Sequence, residues 1–325
     1  MLVNPLEKIS LGRTGLKVTR IGFGTSSLGN MPDTYGYSVD AERARETVRA
    51  VLASPVNLLD TSRNYGFGRS EQRIGEVIRE RGGLPPGFVV STKLDRDMAT
   101  GRFDAAQARR SLDESLKTLN LDRVHLLHLH DPEYAASLSE VTGPDGALAE
   151  LFRMKEQGLA QAVGLAAGNV DVMMPILRDW DFDALITHNR FTLANRNAEA
   201  MIDHAQKRGI AVLNAAPYGS GILAKGSTNY PRYVYQVASS DALERIRRIE
   251  QLCAKHRVPP GAAALQFSLR DQRVTATICG ISKVERIQET LEWAAYPIPD
   301  AFWTELTTLP FETGDPETTR TYRPG

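Results

Sequence analysis

Four side chains of complementary acid–base type follow apolar runs that read as strand ends. Asp60 closes the run Val56-Asn57-Leu58-Leu59, and Tyr65 comes five positions later. Lys93 follows Phe88-Val89-Val90-Ser91-Thr92, and His130 ends Val124-His125-Leu126-Leu127-His128-Leu129. An acid, a phenol, an amine and an imidazole can together move a proton to or from a carbonyl oxygen. A free phenol has a pKa of about 10, too high for ready exchange near neutrality. An ammonium about 4 Å away is worth roughly 4 kcal/mol at an intermediate dielectric. Lys93 is therefore expected to lower the Tyr65 pKa, with Asp60 as its countercharge and His130 orienting the substrate oxygen. Each residue also has a plainer role: Asp60 capping a turn, Tyr65 packing, Lys93 on a solvated face. Four such residues at matching strand ends favour the chemical reading.

The elements that would position them alternate along the chain. Apolar runs predict strands over 19–24, 56–60, 88–92, 124–130, 160–165, 184–188, 210–214 and 275–279. Helical spacing predicts helices over 40–53, 70–81, 104–119, 146–157, 170–179, 195–208, 241–256 and 261–270. Asp104 and Asp145 are expected N-caps, and Gly158 and Gly209 expected helix stops. Eight alternations imply an α/β fold of the closed (β/α)8 TIM barrel type, whose strand C-terminal ends converge on one face. An open doubly wound sheet is the rival. The run Gly22-Phe23-Gly24-Thr25-Ser26-Ser27-Leu28-Gly29 has its third glycine misplaced for the dinucleotide fingerprint. Arg13-Thr14-Gly15 predicts an N-terminal hairpin over 8–18. Residues 215–240 form a long irregular stretch, a length that usually carries function. The polar tail 311–325 is expected to lie over the surface. The whole of 1–325 reads as one domain.

Lys plus Arg and Asp plus Glu both number 39, so the net charge is zero. That balance gives no general attraction to nucleic acid or an anionic membrane. Cys253 and Cys279 match no ligand spacing and read as reduced thiols of a cytoplasmic protein. No pattern indicates an oligomer. A competing chemistry uses the same strand: His128, His130 and Asp131 could ligate a metal in a barrel hydrolase, helped by His188. The preferred reading recruits no metal, because His130 is already explained, and it leaves His125 and His128 as barrel filler.

The motifs Leu11-Gly12-Arg13-Thr14-Gly15-Leu16, Asp60 to Gly75, Lys93, His130-Asp131-Pro132 and Gly280 to Thr290, in this order, resemble the aldo-keto reductase family. His128-Leu129-His130-Asp131-Pro132 and Asn214-Ala215-Ala216-Pro217-Tyr218 are similar to its sugar-oxidising branch, which includes D-threo-aldose, D-arabinose and L-galactose dehydrogenases. The resemblance implies a barrel oxidoreductase in which Asp60, Tyr65, Lys93 and His130 are catalytic. It implies NADP(H) as the preferred cofactor, with NAD(H) possible. Cofactor contacts are expected from Gly24, Asn169, His188, Tyr218, Gly219, Ser220, Gly221, Ile281, Ser282, Lys283, Arg286 and Thr290. Gly219-Ser220-Gly221 suits backbone approach to a pyrophosphate. Ser282, Lys283 and Arg286 suit a 2′-phosphate. The nicotinamide pocket departs from the family pattern. Ala166-Ala167 replace a Ser-Asn pair, His188 a glutamine, Ala215 an aromatic residue and Thr290 an asparagine. Arg63, Asn64, Asp131 and Arg190, with Tyr218, would make a polar substrate pocket for an aldose or sugar-derived aldehyde. The alternatives are a general aldehyde reductase and a cofactor-binding regulatory subunit.

Overall fold

The computed structural model describes residues 4–320. Eight parallel strands close into a barrel in sequence order. They are β1 (Ile21–Gly24), β2 (Leu58–Asp60), β3 (Val89–Leu94), β4 (Val124–His130), β5 (Ala160–Ala166), β6 (Ala184–His188), β7 (Ala211–Ala215) and β8 (Ala276–Gly280). β8 pairs back onto β1, with Gly280 opposite Gly24. All eight expected strands are present, so the fold is the (β/α)8 TIM barrel.

The two-residue period of a strand sorts the side chains. In β3, Val89 joins the barrel interior, while Val90 and Leu94 pack outward among the helices. Lys93 shares the inward parity of Val89. In β4, Leu126 faces inward and Leu127 and Leu129 outward, which gives His128 and His130 the inward parity too.

The surrounding helices are α1 (Ala41–Ala53), α2 (Arg69–Arg81), α3 (Ala105–Leu119), α4 (Ala147–Glu156), α5 (Val170–Asp179) and α6 (Glu199–Arg208). They continue as α7 (Ser240–His256), α8 (Pro260–Arg270), α9 (Glu285–Ala295) and α10 (Asp300–Leu306). Asp40 and Asp104 cap α1 and α3 by accepting from backbone N–H groups. Asp145 does not cap α4. Gly146 takes that position, and the Asp145 carbonyl accepts from Ala105 N instead. Helix α6 starts at Glu199, because 192–197 form turns stitched to the tail. Gly209 ends α6 in a left-handed conformation, as expected. No helix among the described residues is long and apolar enough to cross a membrane.

The N-terminal hairpin pairs Lys8–Ser10 with Lys17–Thr19. Its Leu11, Leu16 and Val18 pack against Leu58, Val89, Leu126 and Ala211, near the strand N-terminal ends, and so floor the barrel. The opposite mouth is left for function. There the 215–240 stretch carries a short turn at Gly219–Gly221, a short helix at Ile222–Lys225 and a two-residue bridge of Arg232–Tyr233 with Gln236–Val237.

The tail lies over the surface as expected, but it is anchored there. Glu312 exchanges backbone hydrogen bonds with Ala194 and Arg196, and Asn195 Nδ2 donates to the Gly314 carbonyl. Glu317 is buried, whereas Thr313, Gly314, Thr318 and Thr319 are exposed, so 312–320 lie over the surface and are pinned to it at a few points. Residues 321–325 of the expected tail lie outside the described residues.

Helix α2 approaches α3 closely at Gly75. A Cβ there would stand 1.8 Å from the Thr118 carbonyl oxygen. Gly75→Ala would gain about 0.5–1 kcal/mol of helix propensity. Overpacking against backbone costs about 1–3 kcal/mol, which is the larger effect. The variant is expected to lose about 1–2 kcal/mol, read as a lower midpoint in urea unfolding with an unchanged slope.

Candidate active site

The centre of the site is an ion pair between the ends of β2 and β3. Lys93 Nζ donates to Asp60 Oδ1 and Oδ2, each at 2.8 Å, and to the Thr61 carbonyl at 2.6 Å. Ser91 Oγ donates to Asp60 Oδ1 at 2.9 Å. Both groups are almost fully buried, so removing either would leave the other without its partner in a site that water does not reach. The ammonium also stands 4.9 Å from the centroid of the Tyr65 ring.

The direction of the Tyr65 pKa corrects the sequence expectation. Burial first, and then the Asp60 carboxylate, push the phenol well above its ordinary value. Asp60 neutralises Lys93 at contact distance, so the phenol faces a compensated pair rather than a bare cation, and desolvation decides the sign. Tyr65 is open to the cavity and otherwise enclosed. The phenol is thus held with its proton on.

His130 stands edge-on to Tyr65, with ring centroids 6.0 Å apart. Its Nδ1 lies 2.5 Å from Asp95 Oδ1, and its Nε2 lies 3.6 Å from Asp131 Oδ2. Burial works against the imidazolium, but the Asp131 and Asp95 carboxylates outweigh it and raise the pKa. Asp95 also accepts from Ser62 Oγ at 2.7 Å and from Asn64 N at 2.9 Å. Burial alone would raise its pKa; His130 and these donors instead hold the carboxyl below its usual range.

His128 is buried with its Nδ1 3.3 Å from Ser91 Oγ. Burial and the Lys93 charge drive its pKa well down, so it stays neutral filler. Gly164 makes room for it, since a Cβ there would come within 2.3 Å of the ring. Among the described residues no three His, Cys, Asp or Glu side chains gather as a metal site. His130 Nδ1 is taken by Asp95, and His128 is walled in, so the metal-hydrolase geometry is not formed.

One cavity joins this cluster to the turn between β8 and α9. Of the expected residues, Gly24, His188, Tyr218, Ser220, Gly221, Ser282, Arg286 and Thr290 line it, as do Asn64 and Asp131. Others do not. Asn169 caps α5, accepting from Asp171 N at 3.0 Å and Val172 N at 3.2 Å. Gly219 and Ile281 sit behind the wall, the Ile281 carbonyl accepting from Ser27 Oγ. Lys283 is solvent-exposed outside the lining. Arg63 pairs with Glu114 at 2.9 Å on the outer side.

Arg190 is buried and committed elsewhere. It donates to Asp315 at 2.6 Å, to Glu317 at 3.1 Å and to the His188 carbonyl at 3.2 Å. Glu317 in turn lies 3.2 Å from His188 Nδ1 and accepts from Arg320 at 2.6 Å. The expected substrate arginine is a tie that fixes the tail against the cavity wall.

Several residues of the site were not foreseen, among them Asp95, which lies behind the lining. Asp95 was legible in principle, since it lies two positions beyond Lys93 at the same strand end. Lys225 is placed between Tyr37 and Tyr230, 4.1 and 3.9 Å from their ring centroids. Burial and the Arg286 charge lower its pKa to about 8. Tyr35, Tyr37 and Tyr235 come from loops whose paths no local pattern sets.

Comparison with known proteins gives the family of the chain. The Aldo/keto reductase family profile matches residues 20–309. The chain belongs to that family and is an oxidoreductase. It is 29% identical to pyridoxal 4-dehydrogenase of Microbacterium luteolum, covering 92% of this chain and 96% of that protein. It is 28% identical to D-threo-aldose 1-dehydrogenase of a Pseudomonas species, covering 90% and 94%. L-galactose dehydrogenase of Arabidopsis thaliana is 27% identical, covering 88% and 87%. The holo form of an aldo-keto reductase from Bacillus halodurans has the same fold, with a TM-score of 0.75 at 20% identity over 97% of this chain and 99% of that one. Enzymes of this family use nicotinamide cofactors, generally NADP(H).

The cavity suits such a group. A Cβ on Gly280 would meet nothing within 4 Å, so the wall is open there, and the cations Lys225 and Arg286 line the same cavity.

The upward shift of Tyr65 has a direct readout. In the cofactor-free protein, ultraviolet difference titration of wild type against Tyr65→Phe is expected to show no phenolate from this residue below pH 10. A phenolate appearing near neutrality would mean that Lys93 dominates after all.

Proposed function

We propose that this oxidoreductase is NADP-linked and acts on the carbonyl or hemiacetal carbon of an aldose or sugar-derived aldehyde. The observation that carries the reading is the gathering of Tyr65, the Lys93–Asp60 pair and His130 in a cavity that also contains Arg286 and Lys225. A bound nicotinamide would supply or accept a hydride at its ring. Tyr65 would hold the proton exchanged with the substrate oxygen, since its phenol is kept protonated. His130 would donate to the same oxygen and fix its position. Lys93 would keep a positive charge beneath the Tyr65 ring, which favours the phenolate left after proton donation. His188, Tyr218, Ser220, Gly221, Ser282, Arg286 and Thr290 would hold the cofactor. Ala166, Ala167 and Ala215 give the reacting end an apolar wall that excludes water.

The substrate class rests on Asp131, which is polar, buried and 3.6 Å from His130 Nε2. Acceptors of this kind left unpaired by a substrate without hydroxyls cost binding. The names of two relatives, an aldose and a galactose dehydrogenase, support the same class. Turnover with NADP⁺ or NADPH is expected to be faster, in kcat/KM, for a polyhydroxylated substrate than for an apolar aldehyde of similar size. Tyr65→Phe should abolish it while NADPH fluorescence quenching on binding persists. If apolar aromatic aldehydes prove best, a general aldehyde reductase is the correct description.

Cofactor choice gives a second test. Arg286 lines the cavity, whereas Lys283 is exposed outside it. A charge-assisted contact to phosphate is worth about 1.5–3 kcal/mol, or at least tenfold in affinity. Arg286→Ala is expected to weaken NADPH about tenfold or more and NADH little, with Lys283→Ala weak on both. Equal losses for the two cofactors would show that Arg286 does not read the 2′-phosphate.

A further inference from the structure

We propose that Asp95 is a positioning residue that fixes the proton of His130 on Nδ1, so that Nε2 presents a hydrogen to the reacting oxygen only when the ring is cationic. The inference rests on the oxidoreductase reading above for its purpose, though not for its geometry.

Two hydrogen-bonding atoms of the imidazole have different surroundings. Nδ1 meets Asp95 Oδ1 at 2.5 Å and Ser62 Oγ at 3.2 Å. Ser62 Oγ already donates to Asp95 Oδ2 at 2.7 Å, so its hydrogen is directed at the carboxylate. An ionised carboxylate is an acceptor only. The proton between Asp95 and His130 must therefore be carried by Nδ1. Nε2 then has two states. In the neutral ring it is a bare acceptor, and in the imidazolium it is a donor. A ring with a neutral or absent partner at Nδ1 could keep its one proton on Nε2 and donate at any pH. Asp95 removes that option and ties donation to charge.

The carboxylate is itself held rigidly. It is 3% exposed, and Asn64 N and Ser62 Oγ fix Oδ2 while His130 takes Oδ1. Asp95 N accepts no freedom either, since it donates to Ser111 Oγ at 2.9 Å. Ser62 and Asn64 flank the turn that delivers Tyr65. One carboxylate thus sets the aim of His130 and the path of the Tyr65 loop together.

The charged and titratable groups around the ring are Asp95 and Lys93 from β3 and its end, Asp131 and His128 on its own chain segment, and Tyr65 from the loop after β2. Lys93 opposes the imidazolium, and both aspartates favour it. Asp60 is spent on Lys93. The balance leaves the ring cationic to a higher pH than a free histidine. Asp131 Oδ2, 3.6 Å from Nε2, is beyond hydrogen-bond reach, so it favours the cation by charge and leaves that hydrogen for a substrate oxygen.

The test is nitrogen-15 NMR of histidine-labelled full-length protein, with pH, in wild type and Asp95→Asn. Wild type is expected to keep Nδ1 protonated throughout, with Nε2 the site that titrates. Asp95→Asn should lower the His130 pKa by about one unit or more, the scale expected for losing one contact countercharge. In kinetics the same variant should lose kcat about tenfold or more with KM less affected. The limb of the pH profile set by His130 deprotonation should move to lower pH. A purely structural aspartate would not move that limb. Loss of the wild-type Nδ1 proton before Nε2 would overturn the proposal, whether or not the variant folds. So would an unchanged His130 titration in a folded Asp95→Asn. Because the spectra need no substrate, a correct titration in a protein that turns over no sugar or aldehyde would support the pairing and count against the proposed reaction instead.

Discussion

The Lys93–Asp60 pair is the constraint on which the mouth of the barrel depends. Removing two charges from water costs several kcal/mol per ion even after relaxation. Three close acceptors on the ammonium and the Ser91 hydroxyl on the carboxylate offset that cost. The pair closes only if β2 and β3 keep their register, with Asp60 opposite Ser91. It also fixes the Thr61 carbonyl, and therefore the start of the loop that carries Ser62, Asn64 and Tyr65. Deleting either partner leaves a buried charge unpaired, at a cost of about 3–5 kcal/mol. Substitutions at Lys93 thus act on stability and chemistry at once, whereas Tyr65→Phe and Asp95→Asn preserve shape and separate the two.

A second buried network has a different purpose. Arg190 binds Asp315 and Glu317, and Glu317 also meets His188 and Arg320. Burial alone would protonate the Glu317 carboxyl. The His188 ring and the two arginines reverse that and hold it far below the ordinary carboxylate range. With its pKa depressed, the carboxyl stabilises the fold fully above the usual glutamate pKa and loses that contribution only as pH falls toward the folded value. The tail therefore stays fastened through all neutral conditions. It brings Arg320 into the cavity lining and fixes the ring of His188.

The sequence carried the frame and the cluster of Asp60, Tyr65, Lys93 and His130, because both depend on local rules. Strand parity and strand ends placed Asp60, Lys93 and His130 on one face, and the eight alternations implied closure. Asp104 as a cap is equally local. Arg190 and Asn169 were misjudged because their partners are distant or ambiguous. The acceptors of Arg190 lie more than a hundred residues away, at 315 and 317, and an asparagine before a helix can cap it as readily as hold a ligand. The Tyr65 pKa was misjudged in sign. Counting charges showed an ammonium near a phenol, but the outcome turned on how completely Asp60 screens it and how enclosed the ring is. Those are three-dimensional quantities. Lys225 and the tyrosines around it escaped for the same reason, since the 215–240 stretch has no period from which a path follows.

The electrostatics of the cluster narrow what the site can do. Tyr65 is kept protonated by burial, and two carboxylates that outweigh desolvation raise the pKa of His130, so its ring stays cationic to a higher pH than a free histidine. Under the proposed reaction, an oxygen between them meets two donors, one of them charged. A carbonyl oxygen gaining negative charge is stabilised by that arrangement without any group having to reorganise. The reverse reaction must begin from an alcohol or hemiacetal whose one proton needs an acceptor, so one of the two groups must first give its proton up. Raising the pH empties Nε2 of His130 well before it reaches the Tyr65 phenol, because the imidazolium titrates first. The two directions are thus separated by the charge on one ring, and Asp95 is the residue whose position makes that charge matter.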